Sequence, residues 1–93
     1  MILTDKAKKD FLKWTKQGNL VNIMADVYLH ALIIEWFDSV GIYVNIEYYN
    51  VDGDNVFIYS INNATYIEIY DTRQEATIQA ILKANQIYNE SKN

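Results

Sequence analysis

The run from Ile42 to Tyr70, IYVNIEYYNVDGDNVFIYSINNATYIEIY, leaves the backbone few choices. β-Branched and aromatic residues alternate there with polar ones, a period of two that suits a pleated strand and not a helix of 3.6 residues per turn. Turn formers interrupt the alternation twice, at Asp52-Gly53 and at Asn62-Asn63. The run therefore divides into three consecutive antiparallel strands.

Strand parity decides which side chains share a face. A two-residue Asn62-Asn63 turn pairs Ser60 with Thr65, Ile58 with Ile67 and Val56 with Ile69 on one side. On the other it pairs Tyr59 with Tyr66 and Phe57 with Glu68. For the first hairpin two registers compete. A two-residue Asp52-Gly53 turn sets Glu47 opposite Ile58, whereas a three-residue Asp52-Gly53-Asp54 loop with a glycine bulge sets Tyr48 opposite Ile58 and Ile46 opposite Ser60. A slip of one residue inverts every side chain. With the aliphatic side taken as core, the three-residue loop keeps the carboxylate out of it and is preferred. The predicted core positions are then Ile42, Val44, Ile46, Tyr48, Val56, Ile58, Ile67 and Ile69. Tyr43, Asn45, Glu47, Tyr49, Phe57, Tyr59, Ile61, Tyr66, Glu68 and Tyr70 fall on the open face.

Helices flank the strands. Thr4 is placed to cap a first helix, with Asp5 in its first turn, Ala7, Phe11 and Trp14 on one face and Gly18-Asn19 as the stop. Lys6, Lys9, Lys13 and Lys16 form the opposite stripe. A second helix is predicted from Leu20 to Val40, about 30 Å if unbroken. Its main apolar face is Ile23, Met24, Val27, Ala31 and Ile34, and Leu29, Ile33, Trp36 and Phe37 carry apolar surface further round. Gly41 stands where a C-terminal cap belongs. Thr72-Arg73-Gln74-Glu75 matches a capping box and opens a last helix to about Asn89, burying Ala76, Ala80, Ile81, Ala84, Ile87 and Tyr88. Residues 90–93 are expected to fray. The fold class is thus α+β, ordered α-α-β-β-β-α, with a three-stranded antiparallel meander packed on helices and residues 1–93 forming a single domain.

Composition narrows the function classes. The 93 residues include no cysteine, which removes disulfides, thiolate zinc sites and cysteine nucleophiles. Asn22, Asp26, His30, Glu35 and Asp38 interrupt the longest apolar stretch, Leu20 to Val40, so the chain reads as soluble, and the lack of cysteine fits a cytoplasmic protein. Net charge is −4 and unevenly spread: residues 1–18 hold five lysines against two aspartates, and the rest hold three basic against ten acidic side chains. An acidic body disfavours phosphate backbones, leaving Lys6, Lys9, Lys13 and Lys16 as the one candidate nucleic-acid contact. Abundant Ile, Asn, Lys and Tyr with no proline point to an AT-rich genome.

Chemistry-bearing clusters are sparse. Asp26 and His30, four apart on a helix, suit a charge-assisted pair, and no nucleophile or further ligand stands near them in sequence. Asp52-Gly53-Asp54-Asn55 is too short for a calcium loop and lacks its terminal Glu. No phosphate loop, serine elbow or catalytic carboxylate pair is present, so no enzyme activity, metal or cofactor is expected. The tyrosine face is the candidate site, because tyrosine combines contact area, low side-chain entropy and a hydroxyl. Its members are Tyr43, Glu47, Tyr49, Phe57, Tyr59, Tyr66, Glu68 and Tyr70. Two other readings of that face are cross-strand pairing alone and cover by the last helix.

Residues 35–89 resemble small proteins encoded by phages and prophages of AT-rich bacteria. The likeness rests on Trp36-Phe37 at a helix end, the tyrosine-rich strands, and Thr72-Arg73-Gln74-Glu75-Ala76. Among such proteins are the anti-CRISPRs, small, often acidic and cysteine-poor inhibitors. The resemblance therefore implies a non-enzymatic inhibitor whose protein partner is a host defence nuclease, a Cas effector or its guide-RNA complex, met in the host cytoplasm. A homodimeric accessory protein and a nucleic-acid-binding module are the alternatives. No site residue carries over from a class that shares no common site.

Overall fold

The computed structural model describes residues 1–91, Asn19 by its backbone alone. The elements follow as α1 (Asp5–Thr15), a 3-10 segment (Gly18–Ile23), α2 (Asp26–Ser39), β1 (Val44–Val51), β2 (Asp54–Ile61), β3 (Ala64–Tyr70) and α3 (Arg73–Ser91). The architecture is α+β in the expected order, with one antiparallel sheet ordered β1-β2-β3. The expected fraying at 90–93 lies partly outside the described residues, and Glu90 and Ser91 are helical.

Helix α3 is the spine. It packs against all three strands and against both other helices. Ala76, Ala80 and Ala84, one turn apart along it, are all fully buried. Side chains this small let neighbouring elements approach its axis, so the larger residues come from the partners. Trp36 supplies most of that bulk from α2, its ring 4.9 Å from Tyr88, 5.9 Å from Phe11 and 4.9 Å from Phe37. Thr72 opens α3 as its sequence suggests, its Oγ1 accepting from the Glu75 N–H at 3.1 Å.

Helix α1 begins at the expected place for a different reason. The Thr4 hydroxyl does not cap its own helix. Instead Asn89 of α3 does so from across the fold: its Oδ1 accepts from the Ala7 N–H at 2.8 Å, and its Nδ2 donates to the Thr4 carbonyl at 3.1 Å. Asn85 adds two more bonds, accepting from the Thr4 N–H and donating to the Thr4 Oγ1, both at 3.0 Å. These amides satisfy first-turn donors that a helix cannot satisfy itself. Tyr88 completes the seam by donating to the Asp10 carboxylate at 2.5 Å.

Three expectations need correction. The long second helix is broken: Met24 and Ala25 are extended, separating the 3-10 segment from α2. Its buried face is Leu29, Ile33, Trp36 and Phe37 with His30, not the Ile23–Ile34 stripe, and Ile23 is 79 % exposed. Apolar residues on all sides gave periodicity nothing to choose by, and the stripe bearing the two large aromatics won. On α1 Trp14 stays on the face of Ala7 and Phe11, at its rim, 37 % exposed with its ring 6.3 Å from Phe11. The C-terminus of α2 is as expected: Gly41 has φ +82°, Ile42 N–H donates to Phe37 O at 2.9 Å and Gly41 N–H to Asp38 O at 3.2 Å.

The third correction concerns register. Asp52 and Gly53 form a two-residue turn, both at positive φ, and Glu47 stands opposite Ile58. The preferred three-residue loop is wrong. Asn62-Asn63 is the expected turn, with Tyr59 opposite Tyr66 and Ser60 opposite Thr65, but a bulge then brings Tyr70, not Glu68, opposite Phe57. On β1 the assignment of faces holds, since Ile42, Val44 and Ile46 meet the core. On β2 and β3 it is inverted: Tyr59, Ile61, Tyr66 and Tyr70 turn toward α3, while Val56, Ile58, Ile67 and Ile69 turn away.

Candidate binding surface

The eight residues predicted for one adhesive face are divided between two. Glu47 and Tyr49 of β1, and Tyr43 just before it, lie on the outward side. Phe57, Tyr59, Tyr66, Glu68 and Tyr70 lie on the side that meets α3. The inward aromatics form a packed layer: Tyr59 stacks on Tyr66 at 5.0 Å and on Tyr70 at 6.4 Å. Cations of α3 close the layer at its rim, with Lys83 over Tyr66 at 5.6 Å and Arg73 over Phe57 at 5.3 Å. Tyr70 donates to Glu68 at 2.8 Å, and burial followed by that carboxylate pushes its phenol up to about 12. Burial likewise raises Tyr59. Cover by the last helix, one of the readings considered above, is what occurs here.

The vacated side is the sheet face that no helix covers. Ile67 is 86 % exposed and Ile69 63 %, beside the partly buried Val56 and Ile58 of β2, across which stand Tyr49 and Val51 of β1; Tyr43, just before β1, lies at the other end of the face opposite Asn62. Glu47 stands among them and accepts from the Tyr49 hydroxyl at 2.8 Å, a bond that raises the tyrosine's pKa. The face is thus aliphatic and phenolic around the hydrogen-bonded Glu47, and polar toward its far end, where Asn45, Ser60 and Thr65 stand. Residues 48–55, at the hairpin end, are all exposed and carry the face past the helical layer. Sequence reasoning missed Ile58, Ile67 and Ile69 as surface residues. The available signal was the alanine row of α3, which calls for large rather than medium side chains opposite it.

Other candidates stay apart. Lys6, Lys9 and Lys13 are exposed along α1 and Lys16 at its C-terminal cap, and Lys6 pairs with Asp10 at 3.4 Å. The Tyr88 hydroxyl is the main cause of a lowered Asp10 pKa, with Lys6 adding to it. Asp26 and His30 line one cleft of about 330 Å³ beside Met1 and Val21, and among the described residues no hydrogen bond joins them. Asp52 and Gly53 are a turn, with Gly53 N–H donating to Asn50 Oδ1 at 3.2 Å. Among the described residues no group of three His, Asp or Glu could hold a metal, and no helix is long and apolar enough to cross a membrane. Comparison with protein-family models, curated proteins and solved structures finds no match to this chain.

Proposed function

We propose that this chain is a non-enzymatic binding domain that occupies the surface of another macromolecule with the outward face of its sheet. The observation that supports this is the pair Ile67 and Ile69 of β3, turned to water on the same side of the sheet as Val56, Ile58 and Tyr49. A contiguous apolar patch of this kind marks interaction surfaces on small proteins. The face carries Glu47 near its centre and has phenols for the polar contacts of an interface.

The likeness of residues 35–89 to small phage-encoded proteins supports the choice of partner, a host defence nuclease of the Cas type, and inhibition as the outcome. The test adds an excess of the chain to a guide-RNA-loaded Cas effector and measures target-DNA cleavage. Loss of cleavage, restored by the double substitution Ile67→Lys/Ile69→Lys, is the expected result. Unimpaired cleavage with no binding would remove the nuclease as partner. Binding that survives the double substitution would remove the face.

A further inference from the structure

Both edges of the sheet are free of any strand among the described residues, and they differ. The β3 edge is irregular, with two extra residues between Tyr66 and Tyr70 relative to its partner strand. The β1 edge is regular over the eight residues Val44–Val51. Proteins blunt such edges with lysine, proline or bulges. Lysine, arginine and proline are absent from all three strands, and β1 has no bulge.

Hydrogen-bond parity shows what the β1 edge offers. Asn62 N–H donates to Tyr43 O at 3.0 Å, so the backbone of Tyr43 points toward β2. Alternation then turns Asn45, Glu47 and Tyr49 the same way, and Val44, Ile46, Tyr48 and Asn50 outward, their N–H and C=O groups paired with no strand among the described residues. We infer that this edge pairs antiparallel with the β1 edge of a second copy of the chain, about a two-fold axis at Tyr48, giving one continuous six-stranded sheet.

Charge selects that register. Pairing centred on Glu47 would set two carboxylates directly opposite in the close, non-hydrogen-bonded position. Moving the centre to Tyr48 sets each Glu47 opposite the partner's Tyr49, the same donor and acceptor that already bond within one chain at 2.8 Å. It also uses the hairpin end, which extends past the helices, so the two helical layers lie at opposite ends.

The dimer completes the surface proposed above, and its purpose rests on that reading. From strand spacing and rise, one three-stranded outward face spans about 350 Å². A stable interface takes roughly 800 Å² from each partner. Two copies edge to edge present about 700 Å², close to that requirement.

The test needs no partner, so it can fail while the binding face stands. Sedimentation equilibrium of the full chain should show a mass rising with concentration from 10.9 kDa toward twice that value. Tyr48→Pro removes an N–H that bonds nothing within the sheet and should weaken the dimer about tenfold or more. Because the chain has no cysteine, Tyr48→Cys should oxidise to a disulfide-linked dimer far faster than Ile67→Cys does; this holds the proposal to account even where the proline variant fails to fold. A constant monomer mass up to millimolar concentration would overturn it. So would a dimer dispersed by Ile67→Lys and untouched at Tyr48, which would be joined face to face.

Discussion

On the side of the sheet that meets α3, Tyr59 keeps 7 % of its accessible surface; on the other side, Ile67 of the adjoining strand keeps 86 %. A ranking of residues by hydrophobicity would exchange them. The neighbour's shape explains the order found. Ala76, Ala80 and Ala84 are fully buried and let α3 lie close to its neighbours, while the wide rings of the sheet reach out to Arg73 and Lys83 on its flank, as branched aliphatics could not. Tyrosine also buries its ring while its hydroxyl reaches a rim acceptor, as Tyr70 does at Glu68. The outward face receives the aliphatics because their counterparts hold the inner one. A residue's place in a two-faced sheet is thus a competition between faces, decided by what lies beneath one of them.

Substitutions can break or sharpen this contrast. Tyr59→Ala should carry the largest effect, about 3–5 kcal/mol in urea unfolding, because it empties the centre of the aromatic layer. A loss under 1 kcal/mol would mean the inner face is not the core. Alkaline titration comes next. The phenols of Tyr70 and Tyr88 are raised to about 12, each by burial first and then by a carboxylate partner. Their folded pKa lies above the unfolded value of about 10, so the stability they supply is complete below pH 10 and lost as pH climbs toward 12. Absorbance of ionising tyrosines should rise together with unfolding in that window, and Tyr88→Phe should weaken the coupling. Ionisation of all eight tyrosines near pH 10, with the fold intact, would contradict this.

Smaller effects lie at the supports of the inner face. Asn89→Ala leaves the Ala7 N–H without its acceptor and should cost about 1–2 kcal/mol, seen as a lower urea midpoint at unchanged slope. Thr72→Ala removes the cap of the helix that covers the aromatics and should cost about 1 kcal/mol. The smallest change belongs to Ile67→Lys, expected within about 0.5 kcal/mol of the parent. A severe loss there would show that the outward face is covered within the folded chain.

Much of the framework was legible in the sequence because its signals are local. The Asn62-Asn63 turn, the Thr72 cap, the Gly41 stop and the alanine face of α3 each depend on a few consecutive residues and on backbone sterics. The strand faces were not legible in the same way. Glu47 was kept from an assumed core by moving the hairpin one residue, when the simpler turn already leaves it in water once Ile58 faces outward. One mistaken premise about the core thus produced both the wrong loop and the inverted faces. The caps on α1 were hidden for another reason: Asn85 and Asn89 are more than 80 residues from the groups they satisfy.

By itself, then, the order of residues determined the succession of helices and strands, the Asn62-Asn63 turn and the Gly41 stop, and the absence of cysteine chemistry. Those follow from dihedral preferences and side-chain period, which act over a few residues. Only the tertiary structure decided which side of the sheet is inside, which stripe of α2 is buried and what caps α1. Each of these compares two alternatives of similar local energy, and the difference between them resides in packing against α3, a partner that local sequence cannot reach.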